Sequence, residues 1–453
     1  MKYFVGAAAL LALAGVTVWF WDASPPTVAW RGTEVLGPSS DLQLSVADEG
    51  KGLRTISVEL RQDGRAQTVY SRVYPVRWLP WQRAPAREDV VLGGADLEKN
   101  ASLEEGPFEL VTRVTDQANL WLFRRERVDT RSLPFDRTPP RIEVLSAQHN
   151  LRQGGSEAAV YRVSEEVTAS GVRVGDRFFS GYPLTGQGAG ARVCLFALAY
   201  DASLDVPIAA WAEDRAGNRA ETSLGVQTFP RAFRERRIEV TDRLIADIAP
   251  EILSHTAVDE GKTPVETFIA INSALRGVTR QRIDAITTTS KPHILWKEPF
   301  QQLSNSQVES SFADRRSYFY RGEKIDEQTH LGFDLASLAH SAVEAANDGE
   351  VVFADYLGIY GNCVILDHGF GLFSLYGHLS RIDVERGQSV TKGETLGLTG
   401  QTGLAAGDHL HFSMLLQGVQ VTPLEWWDPH WVQVHILSRI APPEPPEGQV
   451  EEH

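Results

Sequence analysis

The sequence predicts a mainly β protein: an N-terminal transmembrane helix, two β-sandwich modules, a short helical segment and a C-terminal antiparallel β domain. Three observations predict it. Short apolar–polar alternations, broken by turn residues, run through most of the 453 residues. One uncharged apolar run opens the chain, and a helical period appears in a single internal stretch. The composition, 42% hydrophobic and 23% charged, is that of a globular protein. A formal charge of −15 argues against nucleic acid as a partner, because phosphate binding needs clustered Lys and Arg.

The apolar run, Tyr3 to Trp21, is 19 residues without a charge. As a helix it spans roughly 28 Å, close to one hydrocarbon core. Lys2 before it and Asp22 after it favour an N-terminus inside and the remainder outside, and Trp19, Phe20 and Trp21 form an interfacial aromatic cluster. A cleaved signal peptide competes with this reading, with Ala12-Leu13-Ala14 as its cleavage site. The run continues past that point into bulky aromatics, which favours a retained anchor over residues 1–22. Either reading exports the rest of the chain.

Residues 23–137 and 138–230 read as two β-sandwiches, with spacer as their role. Leu42 to Leu60 and Leu110 to Asn119 have counterparts in Tyr161 to Val174 and Ala209 to Asn218. The endings Asp116-Gln-Ala-Asn119 and Asp214-Arg-Ala-Gly-Asn218 resemble the closing hairpin of bacterial immunoglobulin-like domains. In such a turn Asp and Asn bond nearby backbone, and Gly217 takes a positive φ. Asp136 to Pro140 carries two prolines and reads as a stiff connection. Cys194 and Cys363 lie far apart in apolar strands, so they read as buried thiols and exclude a Cys-based metal site.

The helical segment is residues 231–309. Thr263-Pro264-Val265-Glu266 has the residues of a capping box with Pro at the first helical position. Val265, Phe268, Ile271, Leu275 and Val278 follow at helical spacing, which predicts a helix near 264–286 with those residues as its packing face. Thr241 to Leu253 predicts a weaker helix interrupted by Pro250. Strand-like runs resume in residues 310–435: Gly349 to Phe353, Cys363 to Leu366 and Leu372 to Tyr376. The Pro- and acid-rich tail, 436–453, reads as disordered.

Eight of the twelve histidines lie between His330 and His435. His330-Leu-Gly-Phe-Asp334 is one candidate metal motif. Residues four apart in an extended strand are separated by roughly 13 Å, so both side chains reach one ion only if the chain bends, which Gly332 permits. His409-Leu-His411 is the second, since residues i and i+2 of a strand address the same face while Leu410 packs behind. Tyr376-Gly-His378-Leu379 ends a predicted strand, and His368 reads as structural.

Taken in order, these motifs resemble the catalytic domain of lysostaphin/LytM-type zinc metallopeptidases, the peptidoglycan endopeptidase family. The carriers are His330…Asp334, the glycine-flanked strand Gly361 to Gly369, Tyr376-Gly-His378-Leu379, Gly400-Gln-Thr-Gly403 and His409-Leu-His411. The resemblance implies one Zn2+ per chain, held by His330, Asp334 and His411. It implies His378 and His409 as the catalytic pair, with His409 favoured as base. Two imidazoles and one carboxylate leave zinc an open position, where a lowered water pKa supports attack on a peptide carbonyl. Ser413 departs from the family, which often has Glu there, and that puts an outer contact in doubt.

The implied function is a zinc-dependent endopeptidase cutting peptidoglycan stem-peptide cross-links, anchored by a single pass in the inner (cytoplasmic) membrane with its bulk in the periplasm. The alternative is a catalytically inactive relative that activates cell-wall amidases, and retention of all five polar residues argues against it. A purely structural surface protein is opposed by the same five. The resemblance also raises a latent site covered by an upstream segment, with Asn272, Asn305 or a carboxylate as the plug.

Overall fold

A computed structural model of the protein describes residues 25–77, 84–117 and 125–441. The predicted membrane anchor, the turn at Asn119 and all of the tail beyond Ala441 lie outside the described residues. Among those described, no helix is long and apolar enough to cross a membrane. The chain divides into two compact units, the first reaching Pro140 and taking in Glu166–Thr168 and Glu213–Ala220, the second comprising the rest.

In the first unit a three-stranded sheet (Thr27–Gly32, Asp41–Ala47, Arg87–Gly93) and a four-stranded sheet (Leu53–Gln62, Arg65–Val73, Gly106–Asp116, Glu126–Phe135) share one core. Their alternation is legible in burial: Leu42, Leu44 and Val46 point inward from one strand, and Ile56, Val58 and Leu60 from another. The turn after Asp214 is built as its residues predict. Asp214 Oδ1 accepts from the backbone of Ala216 (2.7 Å) and Asn218 (2.9 Å), and Gly217 has φ 84°.

The second unit holds one further complete four-stranded sheet and an eight-stranded sheet. In the latter, Asn362–Gly369, Leu372–Leu379 and Leu410–Leu416 are neighbours, and nearly every residue in them is buried. A sheet buried on both faces needs a layer on each. One layer is the helical part of the 231–309 segment, which belongs to the core: Ile245, Ile252, Phe268, Ile271 and Leu275 pack with Ile365, Phe373 and Leu375. The other face meets Trp426 together with Trp296 and Phe300 from the end of the same segment; these rings contact one another, and Phe300 contacts His368.

Three details of that segment differ from the sequence reading. Glu235–Val240 is a strand, parallel to Asp314–Tyr320. Asp242–His255 runs unbroken through Pro250, because Pro250 removes only one backbone donor while Ile245, Ile248, Ala249 and Ile252 stay buried. Pro264–Ile269 and Arg276–Ile286 are α-helical, but Ala270–Leu275 between them is a π-helix. The capping box at Thr263 and Glu266 forms. A π turn takes about one residue more than an α turn. The inward face therefore passes from Leu275 to Thr279 and Ile283, and Val278 is left 59% exposed. Cys194 and Cys363 are free and buried.

Candidate metal centre

His330 ends the strand Glu323–His330, and Asp334 lies in Phe333–Ala336, so the chain breaks direction between them. Asp334 then pairs directly opposite His411 on the neighbouring strand. Gly332 keeps a negative φ; its missing side chain matters for space instead, since a Cβ there would collide with the His411 ring at Nε2. The result is a tight triangle. His330 Nε2 is 2.8 Å from Asp334 Oδ1 and 3.0 Å from His411 Nδ1, which is 3.1 Å from Asp334 Oδ1. Ligand atoms around a tetrahedral zinc are separated by about 3.3 Å, given bonds near 2.0–2.1 Å.

Hydrogen bonds behind the triangle fix which atom carries each proton. His330 Nδ1 faces the carbonyl of Ser311 (3.1 Å), which only accepts, so Nδ1 donates and Nε2 keeps its lone pair. Ser413 Oγ donates to Leu331 O (2.8 Å) and so receives the Nε2 proton of His411 (2.8 Å), leaving His411 Nδ1 unprotonated. Two imidazole lone pairs and a carboxylate oxygen thus converge on one point. A shared proton or a metal ion relieves that arrangement; nothing apolar does. Ser413, the departure from the family pattern, supplies the outer contact that orients His411.

His378 and His409 stand beside the triangle. His378 Nδ1 donates to Thr402 O and His409 Nδ1 to Gly407 O, both at 2.8 Å, so each has Nε2 left over. Their ring centres are 4.8 Å apart, and His409 Nε2 is 3.5 Å from Asp334 Oδ1. The Gly400-Gln-Thr-Gly403 motif holds both histidines in place. Thr402 Oγ1 donates to Leu379 O (2.9 Å), and Gly400 O accepts from the His409 backbone (3.0 Å). His378 has φ 65°, a left-handed conformation that non-glycine residues adopt mainly where surroundings enforce it.

Burial pushes the imidazole of His411 down to about 4 and holds His378 well below its usual value. His409 moves the other way: burial opposes its charge, but the Asp334 carboxylate overrides that. Burial also works against an ionised Asp334, yet His330, with His409 and His411, keeps it well below the usual range. Arg316, which the sequence reading missed, donates to Asp334 Oδ2 at 2.6 Å and is itself mostly buried. It anchors one carboxylate oxygen and leaves Oδ1 facing the two imidazoles.

All five predicted residues and Arg316 line one cavity of about 450 Å³. Its opposite wall is apolar and comes from the upstream segment: Ile238, Leu244, Ile248 and Phe268. Neither suggested asparagine plug reaches it. Asn272 Nδ2 donates to Asp326 (2.7 Å) and Asn272 Oδ1 accepts from Arg276 (3.0 Å), while Asn305 lies in an exposed turn.

Comparison with known proteins finds relatives of the segment that carries these residues. DD-carboxypeptidase/endopeptidase Mpg of Neisseria meningitidis is 38% identical over 95 residues, 21% of this chain and 22% of that protein. Peptidoglycan DD-endopeptidase ShyA of Vibrio cholerae is 36% identical over 96 residues, again 21% and 22%. Murein hydrolase activator EnvC of Escherichia coli is 35% identical over 106 residues, 23% of this chain and 25% of that protein. The chain thus aligns with about a fifth to a quarter of the length of these relatives. Residues 328–423, which carry His330, Asp334, His378, His409 and His411, match Peptidase family M23.

Proposed function

We propose that this protein is a zinc-dependent endopeptidase that cleaves the peptide cross-links of peptidoglycan. The observation that carries the reading is the convergence of His330 Nε2, His411 Nδ1 and Asp334 Oδ1, each stripped of its proton by a hydrogen bond or by ionisation. These three residues would hold one zinc ion. Bound there, zinc supplies Lewis acidity, polarising the scissile carbonyl and lowering the pKa of water. His378 and His409 each present Nε2 to the cavity. One accepts the proton of the attacking water and passes it to the leaving amine; the other, protonated, donates to the developing oxyanion. Arg316 steadies the Asp334 carboxylate throughout.

The apolar Tyr3–Trp21 run anchors the chain in the cytoplasmic membrane, with the domain in the periplasm facing its substrate. The test is zinc content of the purified protein measured beside release of muropeptides from isolated sacculi. One zinc per chain with release that a chelator abolishes and zinc restores is expected. A protein that stays metal-free after zinc reconstitution and releases nothing defeats the reading.

An amidase activator is the second reading, favoured by the EnvC similarity, since identity to that activator is about the same as to the endopeptidases. The five polar side chains support the first reading where overall identity favours neither. An activator has no use for five converging polar side chains, and it would stimulate an added amidase without releasing fragments alone.

A further inference from the structure

A second cavity of about 350 Å³ adjoins the metal centre. The two share Arg276, Leu331, Ile359 and Tyr360 as common walls. Tyr360 joins them: its ring lies 4.9 Å from that of His411, while its hydroxyl accepts from Gln420 Nε2 (2.9 Å) in the second cavity. A peptide lying across the metal centre has this space directly beside it.

The second cavity is cationic, on a chain whose formal charge is −15. Arg276 Nε and Nη2 donate to the carbonyl and side-chain oxygens of Asn272, both at 3.0 Å, and Asn272 is itself held by Asp326 (2.7 Å). The guanidinium is thus oriented by a neutral amide, and its charge is not cancelled by any carboxylate in contact among the described residues. Arg280, one turn further along the helix, is exposed and forms no ion pair among the described residues. Glu327, the one acid among the lining residues, already holds Lys324 and Arg315. The π-helical Ala270–Leu275 immediately precedes Arg276, and such insertions in α-helices recur at functional sites.

We infer that Arg276 and Arg280 form a subsite that binds a free carboxylate of the peptide substrate, next to the bond being cut. This rests on the endopeptidase reading and adds a specificity determinant to it. A planar guanidinium with unused donors matches a carboxylate in geometry and charge, and stem peptides carry free carboxylates that an amidated analogue lacks. Arg276 is the fixed partner and Arg280 the adjustable one at the open edge.

The test uses the zinc-loaded full chain and two soluble cross-linked stem peptides, one with its terminal and side-chain carboxylates free and one with them amidated. For Arg280→Gln, KM for the free-acid peptide should rise about tenfold with kcat within about twofold, and KM for the amide should change by less than about twofold. Arg280→Lys should restore part of the loss. Arg276→Gln should follow the same pattern, with its melting temperature as the control for folding. Equal effects on both peptides, or none on either, overturn the subsite. Should the parent protein cut neither peptide, the endopeptidase reading fails, and calorimetric binding of the same peptides decides the subsite alone. Binding of the free acid about tenfold tighter than the amide, lost in Arg280→Gln, sustains it; equal binding overturns it.

Discussion

His368 and His411 sit on strands of the same sheet, both buried, and burial pushes both down to about 4. Their surroundings give them opposite uses. His368 Nδ1 donates to Asp348 O and its Nε2 lies against the Ser374 hydroxyl, both at 2.7 Å, so each ring nitrogen faces one partner of its own. His411 spends its proton on Ser413 and aims the remaining lone pair at two other acceptors. Burial and a lowered pKa do not distinguish a structural histidine from a ligand. What each ring nitrogen faces does: His411 Nδ1 meets both His330 Nε2 and Asp334 Oδ1.

Breaking the triangle is the largest test of that contrast. Asp334→Ala and His330→Ala should abolish zinc binding and sacculus digestion together, because three protein ligands leave none to spare. Metal analysis beside muropeptide release measures both. His378→Ala comes next: zinc per chain should stay near one while turnover falls on the order of a hundredfold. Equal loss of metal would move His378 among the ligands. Ser413→Ala sharpens the role of the outer contact. Zinc affinity should weaken about 10–100-fold, read by competition with a chelator, and an unchanged affinity would show that His411 needs no help to hold its tautomer.

The smallest effect concerns His368. Its pKa falls from 6.5 in the unfolded chain to about 4 when folded, so between those values the unfolded state binds a proton that the folded state does not. Its contribution is complete above pH 6.5 and is lost as pH falls toward about 4, by at most about 1.4 kcal/mol per pH unit. His368→Asn should reduce the slope of stability against pH in that window, measured by denaturant unfolding, while leaving zinc content alone. An unchanged slope would show that His368 is not the group being protonated.

The five polar residues were legible because their chemistry resides in residue type and order, which folding does not alter. Arg316 was not, since it reaches Asp334 from another strand and no motif links them. The acceptors Ser311 O, Thr402 O and Gly407 O are backbone atoms, and only Thr402 lay within a recognisable motif. Phe268, Ile271 and Leu275 read correctly as a packing stripe, but periodicity says nothing about what a stripe packs against. That it covers Ile365, Phe373 and Leu375 of the eight-stranded sheet emerges only in three dimensions. Val278 failed for a local reason, a π turn that periodicity at 3.6 residues cannot anticipate.

His409 and His411 are separated by one residue, line the same cavity and differ in the role assigned to them. Zinc stoichiometry of the His409→Ala and His411→Ala proteins, measured after identical reconstitution, therefore tests the arrangement most directly. The account predicts one zinc per chain in His409→Ala, with digestion of sacculi down about a hundredfold, and none in His411→Ala. A His411→Ala protein that keeps its zinc while His409→Ala loses it would contradict the account.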